Sequence, residues 1–392
     1  MHVIYNKQLQ RIPIKAWTDD KIDQNTMDQA LNLSNLPFAF KHVALMPDMH
    51  VGYGMPIGGV LATDNVVIPN AVGVDIGCGM QTSHLYLFKD DIPPSLLKQI
   101  IQEIREAIPV GFDHHKTPVD FGQQEWLDCT FGPESLKYRD KIGYQIGTLG
   151  GGNHFIEIQA DMDDRIHIMI HSGSRNIGYE IANYYNQVAK ELNKQWYTAV
   201  PPEYDLAFLP LYTREGQEYM LDMEFAVNFA KANRTHMMNA ILDIFKKHFK
   251  HHQVENRIDV PHNYAALEHH FNKNVMVHRK GATRARLGEL GIIPGSQGTF
   301  SYIVEGLGNK DSFESCSHGA GRQLGRKQAC ATLNLEEEQA KLDAKGIIHS
   351  VRSVNDLDEA PGAYKDIDVV MENQEDLVKI VHKLRPVAVI KG

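Results

Sequence analysis

The chain is poor in cysteine, with four in 392 residues: Cys78, Cys129, Cys316 and Cys330. So few in so long a chain exclude a disulfide framework. In a reducing compartment each is either a small buried hydrophobe or a ligand, and its neighbours must decide which. Long apolar runs are missing too. None approaches the roughly 18–20 residues that a membrane-spanning helix needs. Met1–Tyr5 leads straight into a polar stretch bearing Lys and Arg, without the apolar segment of a signal peptide. These absences predict a cytoplasmic protein with no membrane partner. Positive charge is also scarce, 40 Lys and Arg against 49 Asp and Glu, for a net charge of −9. That argues against a surface coated in non-specific nucleic-acid contacts, while leaving room for a local basic groove. Arg279, Lys280, Arg284 and Arg286 lie close together, as do Arg322, Arg326 and Lys327; solvated faces explain such runs as readily. A G-x-x-x-x-G-K-[ST] motif is absent, which excludes a P-loop NTPase. There is no internal repeat and no low-complexity linker.

What is present is histidine, twenty residues of it, many beside Gly, Asn or Ser. That abundance points toward a metal or phosphate site without locating one. Hydrophobic residues make up 43% and charged residues 23%, enough to bury a large core. Residues 1–90 read as strands and loops, with short apolar runs such as Val43–Met46 and Val60–Ala62. A helix is predicted after Pro93-Pro94, where Leu96, Leu97, Ile100, Ile101 and Ile104 fall at helical spacing. Strands are predicted at Phe155–Ile158 and Ile166–Ile170. Helices follow over 177–194 and Glu218–Phe249, the second carrying an apolar stripe of Met and Phe that reads as core. These define a helical insertion over approximately 177–272 in a single α+β domain, 1–392, with central β-sheets and a buried metal and nucleotide site.

Four clusters could carry chemistry. Pro47-Asp48-Met49-His50, followed by Gly52, Gly54, Gly58 and Gly59, is either a tight loop or a place where backbone approaches a ligand; Asp48 and His50 are supporting groups or turn caps. Gly73-Val74-Asp75-Ile76-Gly77-Cys78-Gly79 places a carboxylate and a thiol three residues apart. A thiolate can bridge two metal ions while the carboxylate serves one of them, although a buried Cys in a Gly-rich turn has the same pattern. In Gly150-Gly151-Gly152-Asn153-His154-Phe155-Ile156-Glu157 and His171-Ser172-Gly173-Ser174-Arg175, His154 opens one predicted strand and His171 closes another. If those strands pair, both imidazoles reach one point, and Asn153 and Glu157 offer an amide and a carboxylate suited to a nucleotide. His262-Asn263 adds a further ligand at a predicted helix start, with His269 and His270 on the surface of that helix. Asp75, Cys78, His154, His171 and His262 form a mixed O/S/N set that fits an open catalytic site better than a closed structural zinc site. The last cluster joins Pro294-Gly295-Ser296-Gln297-Gly298-Thr299 and Ser301 to Ser317-His318-Gly319-Ala320-Gly321-Arg322. Glycine-rich backbone with hydroxyls can cradle phosphates. A histidine in that setting is placed for nucleophilic attack on phosphorus, since imidazole is largely neutral near pH 7 and its phosphoramidate is a reactive donor.

These motifs, in this order and approximate spacing, resemble the RtcB family of RNA ligases from Asp48 to Lys391, including Ala363-Tyr364-Lys365-Asp366 and Lys391-Gly392. Each motif is modestly specific; the ordered set is very specific. The resemblance implies an enzyme of RNA splicing or repair that joins an RNA 3′-phosphate or 2′,3′-cyclic phosphate end to a 5′-hydroxyl end, using GTP and manganese. It implies a covalent GMP on His318. It implies one manganese ion on Cys78, His154 and His171, and a second on Asp75, Cys78 and His262. Nucleotide contacts fall to Asn153, Glu157, Ser296, Ser301, Ala320, Gly321, Tyr364 and Lys391, and phosphate or RNA contacts to Arg175, Arg279 and Arg322. Gln297 stands where many relatives carry Met, and the chain looks like a short bacterial paralogue. An archease-like activator and a monomeric state are further expectations of the resemblance.

Two other functions use overlapping features. A dinuclear metallophosphoesterase acting on cyclic phosphate ends would need the same ligands but leaves His318 and Lys391 without a role. A non-catalytic RNA-end binding module would need neither Cys78 nor a nucleophilic His.

Overall fold

Alternation along the strands decides which side chains reach the interior. The computed structural model describes residues 1–18, 21–120, 130–249 and 254–392, so Cys129 lies outside the described residues. The first part of the chain holds β1 (His2–Ile4), β2 (Ile14–Ala16), α1 (Gln24–Ser34), β3 (Ala39–His50), β4 (Ile57–Thr63), β5 (Val66–Val67), α2 (Pro69–Val72), β6 (Gly79–Phe88) and α3 (Pro94–Ala107). The middle carries α4 (Ile142–Gln145), β7 (Phe155–Ala160), β8 (Arg165–Ser172), α5 (Arg175–Gln195), β9 (Leu209–Pro210), α6 (Arg214–His248), β10 (Val254–Pro261), β11 (Asn263–His270) and β12 (Lys273–Lys280). The remainder comprises β13 (Ala282–Arg284), β14 (Leu290–Ile293), β15 (Ser301–Gly306), β16 (Ser315–Ser317), α7 (Arg326–Thr332), α8 (Leu335–Asp343), α9 (Ile367–Glu372) and β17 (Val378–Lys391).

Two sheets organise this α+β domain. One has the order β1-β2-β3-β4-β12-β11 and the other β10-β6-β8-β7-β17-β15-β14. Ile166, Ile168 and Ile170 of β8, with Ile156 and Ile158 of β7, turn to the face covered by α3 and α6. Each such side chain contributes about 1.5–3 kcal/mol on burial. The intervening residues, His167, Met169 and His171 on β8 and Phe155, Glu157 and Gln159 on β7, therefore face the opposite side. A one-residue slip of register would send the isoleucines to the site and the histidine to the helices, so burial of one face specifies the other.

The helices follow from ordinary signals. α3 begins on Pro94 and buries Leu97, Ile100, Ile101 and Ile104 at the predicted spacing. In α6, Thr213 caps the N-terminus by accepting from the Gly216 N–H at 3.2 Å, and Lys246, Lys247 and His248 complement the dipole in the last turn. Phe225 and Phe229 of α6 pack with α5, while Met237, Ile241 and Phe245 pack on the β7–β8 face. Among the described residues no helix is long and apolar enough to cross a membrane.

The expected helical insertion is shorter than approximately 177–272. α5 and α6 are helical, but Val254–His270 forms β10 and β11, which extend the two sheets by pairing with β6 and β12. His262 accordingly sits at the junction where the chain passes from one sheet to the other, not at a helix start. His270 is not a surface helical residue either. It is buried in β11 with its Nε2 2.9 Å from Glu268 Oε2, whereas His269 is exposed as expected. Local spacing cannot separate helix from strand in so short a mixed segment; the partner strands settle it. Arg385–Gly392 belongs mostly to β17, the last strand in sequence but an interior one in its sheet.

Candidate metal centre and nucleotide cavity

Cys78 lies on the turn between α2 and β6, and His262 approaches it from the β10–β11 junction with its backbone N–H donating to Cys78 O at 2.8 Å. β7 and β8 pair with Phe155 opposite His171, which brings His154 and His171 together as their positions predicted. Gly77, at φ +73°, makes the turn feasible: a Cβ there would stand 2.7 Å from Val227 Cα of α6. Arg234, fully buried on α6, holds the assembly. Its Nη1 donates to Gly77 O and Ser172 O at 2.9 Å, and its Nε and Nη2 grip Asp259 at 2.8 Å. It thereby fixes the neighbours of both Cys78 and His171. Sequence spacing placed this helix face in the core and carried no sign of the role.

The five ligand candidates converge. Cys78 Sγ stands 3.4 Å from His154 Nε2 and 3.2 Å from His171 Nε2; His171 Nε2 is 3.3 Å from His262 Nε2, and His154 Nε2 is 3.0 Å from Asp75 Oδ2. Their ligand atoms fall into two close groups, Cys78–His171–His262 and Asp75–Cys78–His154, sharing Cys78. His262 thus groups with His171 and not with Asp75, a different division from the one the resemblance implied. The donor set suits a cation. His154 Nδ1 donates to Leu149 O and His171 Nδ1 to Asn153 O, each at 3.0 Å, which turns both Nε2 atoms toward Cys78. Two imidazole nitrogens, a thiol sulfur and a carboxylate oxygen drawn to one point are the ligand types that a divalent transition metal takes. Burial holds His171 and His262 well below the ordinary histidine value, in the neutral form that ligation requires. Burial, reinforced by Asp75, pushes the Cys78 thiol well up, so a metal ion is what would make it a thiolate.

His318 follows β16 and stands beside this cluster, its ring centroid 4.8 Å from that of His262. Asp48, fully buried on β3, receives three bonds at one oxygen: the His318 N–H at 3.1 Å, the Gly319 N–H at 3.3 Å and His318 Nδ1 at 2.6 Å. Burial works to raise the Asp48 carboxyl, but His318, with His50 and Lys365, together leave the group below its ordinary value. With Nδ1 donating to a carboxylate, Nε2 is left with its lone pair free for attack, the arrangement of an oriented nucleophile. Gly321, at φ +74°, sits against this pair; a Cβ there would meet Asp48 O at 2.2 Å.

A cavity of about 1440 Å³ joins His318 and the cluster to the expected nucleotide residues. Its wall includes Asn153, Glu157, Ser296, Ala320, Gly321, Tyr364 and Lys391. Ser301 lies just behind, its Oγ accepting from Gly295 N–H and from Gln159 Nε2, which also bonds Glu157. Glu157 is almost wholly buried; burial pushes its carboxyl up to about 8, more than Gln159 and Lys391 draw it down. Glu359, which the sequence did not single out, is the acceptor around which this end of the cavity is organised. Lys391 Nζ reaches it at 2.6 Å, Arg322 Nη1 at 3.1 Å and Arg326 Nη1 at 3.0 Å, and the Tyr364 hydroxyl donates to it. Burial works against its ionisation, but Lys391, Arg326 and Tyr364 hold it at about 2. Gln297 is buried and its side-chain amide donates to Glu359 O at 3.1 Å.

The three arginines fare differently. Arg322 lines the cavity and lies 5.2 Å over the Tyr364 ring. Arg175 bonds Thr148 Oγ1 at 2.9 Å and Gly111 O at 2.8 Å and is absent from the cavity wall. Arg279 cannot contact RNA: it is fully buried in a bidentate pair with Glu268 at 2.6 and 3.0 Å. Adjacent strand residues face opposite ways, so of the pair Arg279-Lys280 only Lys280 reaches the cavity. Lys280 Nζ donates to Tyr53 O and Asn70 O, and burial draws it down to about 7. Arg284 and Arg286 pair with Glu289 and Glu314, so that run forms no basic groove.

A shared buried thiol, three imidazoles and a carboxylate, all beside a histidine held by a buried carboxylate, are a ligand set that could hold metal in an enzyme's active-site cavity. Residues 29–392 match the family model described as tRNA-splicing ligase RtcB, and the chain belongs to that family. It is 39% identical to the RNA-splicing ligase RtcB of Escherichia coli K12 over 97% of both chains. It is 32% identical to the tRNA-splicing ligase RtcB of Thermococcus kodakarensis, over 97% of this chain and 95% of that one. It is also 32% identical to the RNA-splicing ligase RtcB of Mycobacterium bovis, over 93% of this chain and the full length of that one.

Proposed function

We propose that the protein joins RNA 3′-phosphate or 2′,3′-cyclic phosphate ends to 5′-hydroxyl ends, with GTP and two manganese ions, in the splicing or repair of RNA. The observation that carries this reading is the Asp48–His318 pair, at 2.6 Å, opening into the same cavity as the Cys78 cluster. Asp48 keeps the proton on His318 Nδ1 and aims Nε2. That nitrogen attacks the α-phosphorus of GTP, forming a P–N bond while pyrophosphate leaves with the electrons of the broken P–O bond. The GMP then passes to the RNA 3′-phosphate, and the 5′-hydroxyl displaces it; a cyclic end is first hydrolysed to the 3′-phosphate. Asp75, Cys78, His154, His171 and His262 would hold manganese, which when bound neutralises phosphate charge and aligns nucleophile with leaving group. Glu157, Asn153, Ser296, Ser301, Ala320, Gly321, Tyr364 and Lys391 would surround the guanosine, with Arg322 near the phosphates. The Glu359 network supports this assignment because it holds Lys391, Tyr364 and Arg322 at one wall of the cavity.

The experiment is incubation with manganese and α-labelled GTP, followed by a search for an acid-labile, alkali-stable adduct. Label on the wild type and none on His318→Ala is the expected result; an unlabelled wild type overturns the reading. The metallophosphoesterase alternative uses the same ligands but gives the Asp48–His318 pair nothing to do. A cytoplasmic, monomeric enzyme assisted by an archease-like activator belongs to the same proposal.

A further inference from the structure

We propose that Phe112 is a stacking platform for an unpaired base of the RNA strand entering the cavity, a positioning residue outside both the metal cluster and the nucleotide wall. The identity of the strand rests on the ligase reading above. Phe112 is fully exposed, at 101% of the reference area, at the tip of a turn between α3 and α4. Gly111 makes that turn at φ +62°, and Asp113 N–H closes it on Val110 O at 3.1 Å.

The turn is stitched to the loop that aims a metal-site imidazole. Leu149 N–H donates to Pro109 O and Gly111 N–H donates to Gly150 O, both at 2.9 Å. Leu149 O in turn accepts from His154 Nδ1 at 3.0 Å. Arg175 clamps the same junction, one nitrogen on Thr148 Oγ1 and another on Gly111 O. Backbone bonds and a guanidinium fix the turn, so burial of the ring is not what holds it there. An apolar plane is thus kept in water at a set place beside the site, where it gains contact only from an incoming ligand.

The surroundings favour a nucleobase as that ligand. Between the turn and the cavity lie Gly151 and Gly152, neither of them buried; a Cβ on Gly151 would meet only Gly111 Cα, at 3.6 Å. Lys391, on the cavity wall, reaches Gly152 O with its Nζ at 3.3 Å, so this bare backbone runs from the turn to the edge of the cavity. Exposed beside the ring are Lys116, a cation that suits a polyanion, and His114, whose ring can donate an N–H to a phosphate oxygen. A protein interface would instead need contiguous apolar neighbours at its centre. Every base has a π-face, so stacking tolerates varied sequences, as an enzyme that joins diverse RNA ends requires.

The test compares wild type, Phe112→Ala and Phe112→Trp by anisotropy with a short labelled RNA bearing a 3′-phosphate, alongside α-labelled GTP. Phe112→Ala is expected to weaken RNA binding, and to raise the KM for RNA, by about 5- to 100-fold, with labelling by GTP unchanged. Phe112→Trp should bind as wild type, and an RNA with abasic terminal nucleotides should bind wild type as weakly as Phe112→Ala binds the intact strand. RNA affinity within twofold of wild type for Phe112→Ala overturns the proposal. Unchanged RNA affinity with altered sedimentation also overturns it, assigning the ring to a protein contact. A wild type that takes no label from GTP defeats the ligase reading alone, and the affinity difference still decides the role of Phe112.

Discussion

Asp48 and His318, 270 positions apart in the chain, are joined by a 2.6 Å bond between Oδ2 and Nδ1. Asp48→Asn keeps the shape but can no longer stabilise positive charge on the ring or enforce the tautomer that leaves Nε2 free. Labelling by α-labelled GTP should fall by about 10²- to 10⁴-fold, the scale seen when a carboxylate orienting a catalytic histidine is lost. Bound manganese, measured by elemental analysis, should stay at the wild-type level. Loss of metal with the activity would mean that Asp48 supports the cluster and not the nucleophile.

Cys78 is the donor common to both ligand groups. Manganese at a hundred times its dissociation constant stabilises a folded protein by about 2.7 kcal/mol, which appears as a rise in Tm. Wild type should show that rise and lose it with chelator, while Cys78→Ala should show little of it. Equal rises in the two proteins would remove Cys78 from the site.

Arg279 and Glu268 form a buried pair, and taking away one partner leaves an uncompensated charge. Arg279→Ala should cost about 3–5 kcal/mol of unfolding free energy in urea melts. RNA affinity at a temperature where the variant is folded should be unchanged, because this guanidinium never reaches the cavity. A selective loss of RNA binding without loss of stability would restore it to the RNA surface.

Glu157 has its carboxyl pushed up to about 8 by burial, against about 4.3 in an unfolded chain. Over the interval between those values the folded protein binds the proton that the unfolded chain has released. The stability it contributes is therefore fully present below about 4.3 and is lost as pH rises toward 8. Melting of the nucleotide-free protein across that range should show the decline, and Glu157→Gln should flatten it. An identical slope in the variant would place the titration elsewhere.

Part of the site was legible in the sequence. The Asp75–Cys78 spacing, the His154 and His171 strand ends and the Gly-rich setting of His318 each pointed to local chemistry, and pairing of β7 with β8 assembled the imidazoles as the alternation required. Arg234, Asp48 and Glu359 were not legible as site organisers. Arg234 hides in the apolar stripe of α6, Asp48 reads equally as a supporting group or a turn cap, and Glu359 lies in a stretch with no motif. Each acts through partners far away in sequence, so no local pattern marks it.

The sequence by itself determined which groups exist and which strand face each occupies, because side-chain alternation and burial of the isoleucine face act over a few residues. It also determined the family, through the order of its motifs. The tertiary structure alone decided who meets whom. Val254–His270 became strands because β6 and β12 offered edges, and that put His262 against Cys78. Arg279 turned to Glu268 while Lys280 turned to the cavity. Asp48 found His318 across 270 residues. Such contacts depend on register and sheet order, which are set by the packing of the whole core and not by any segment of it.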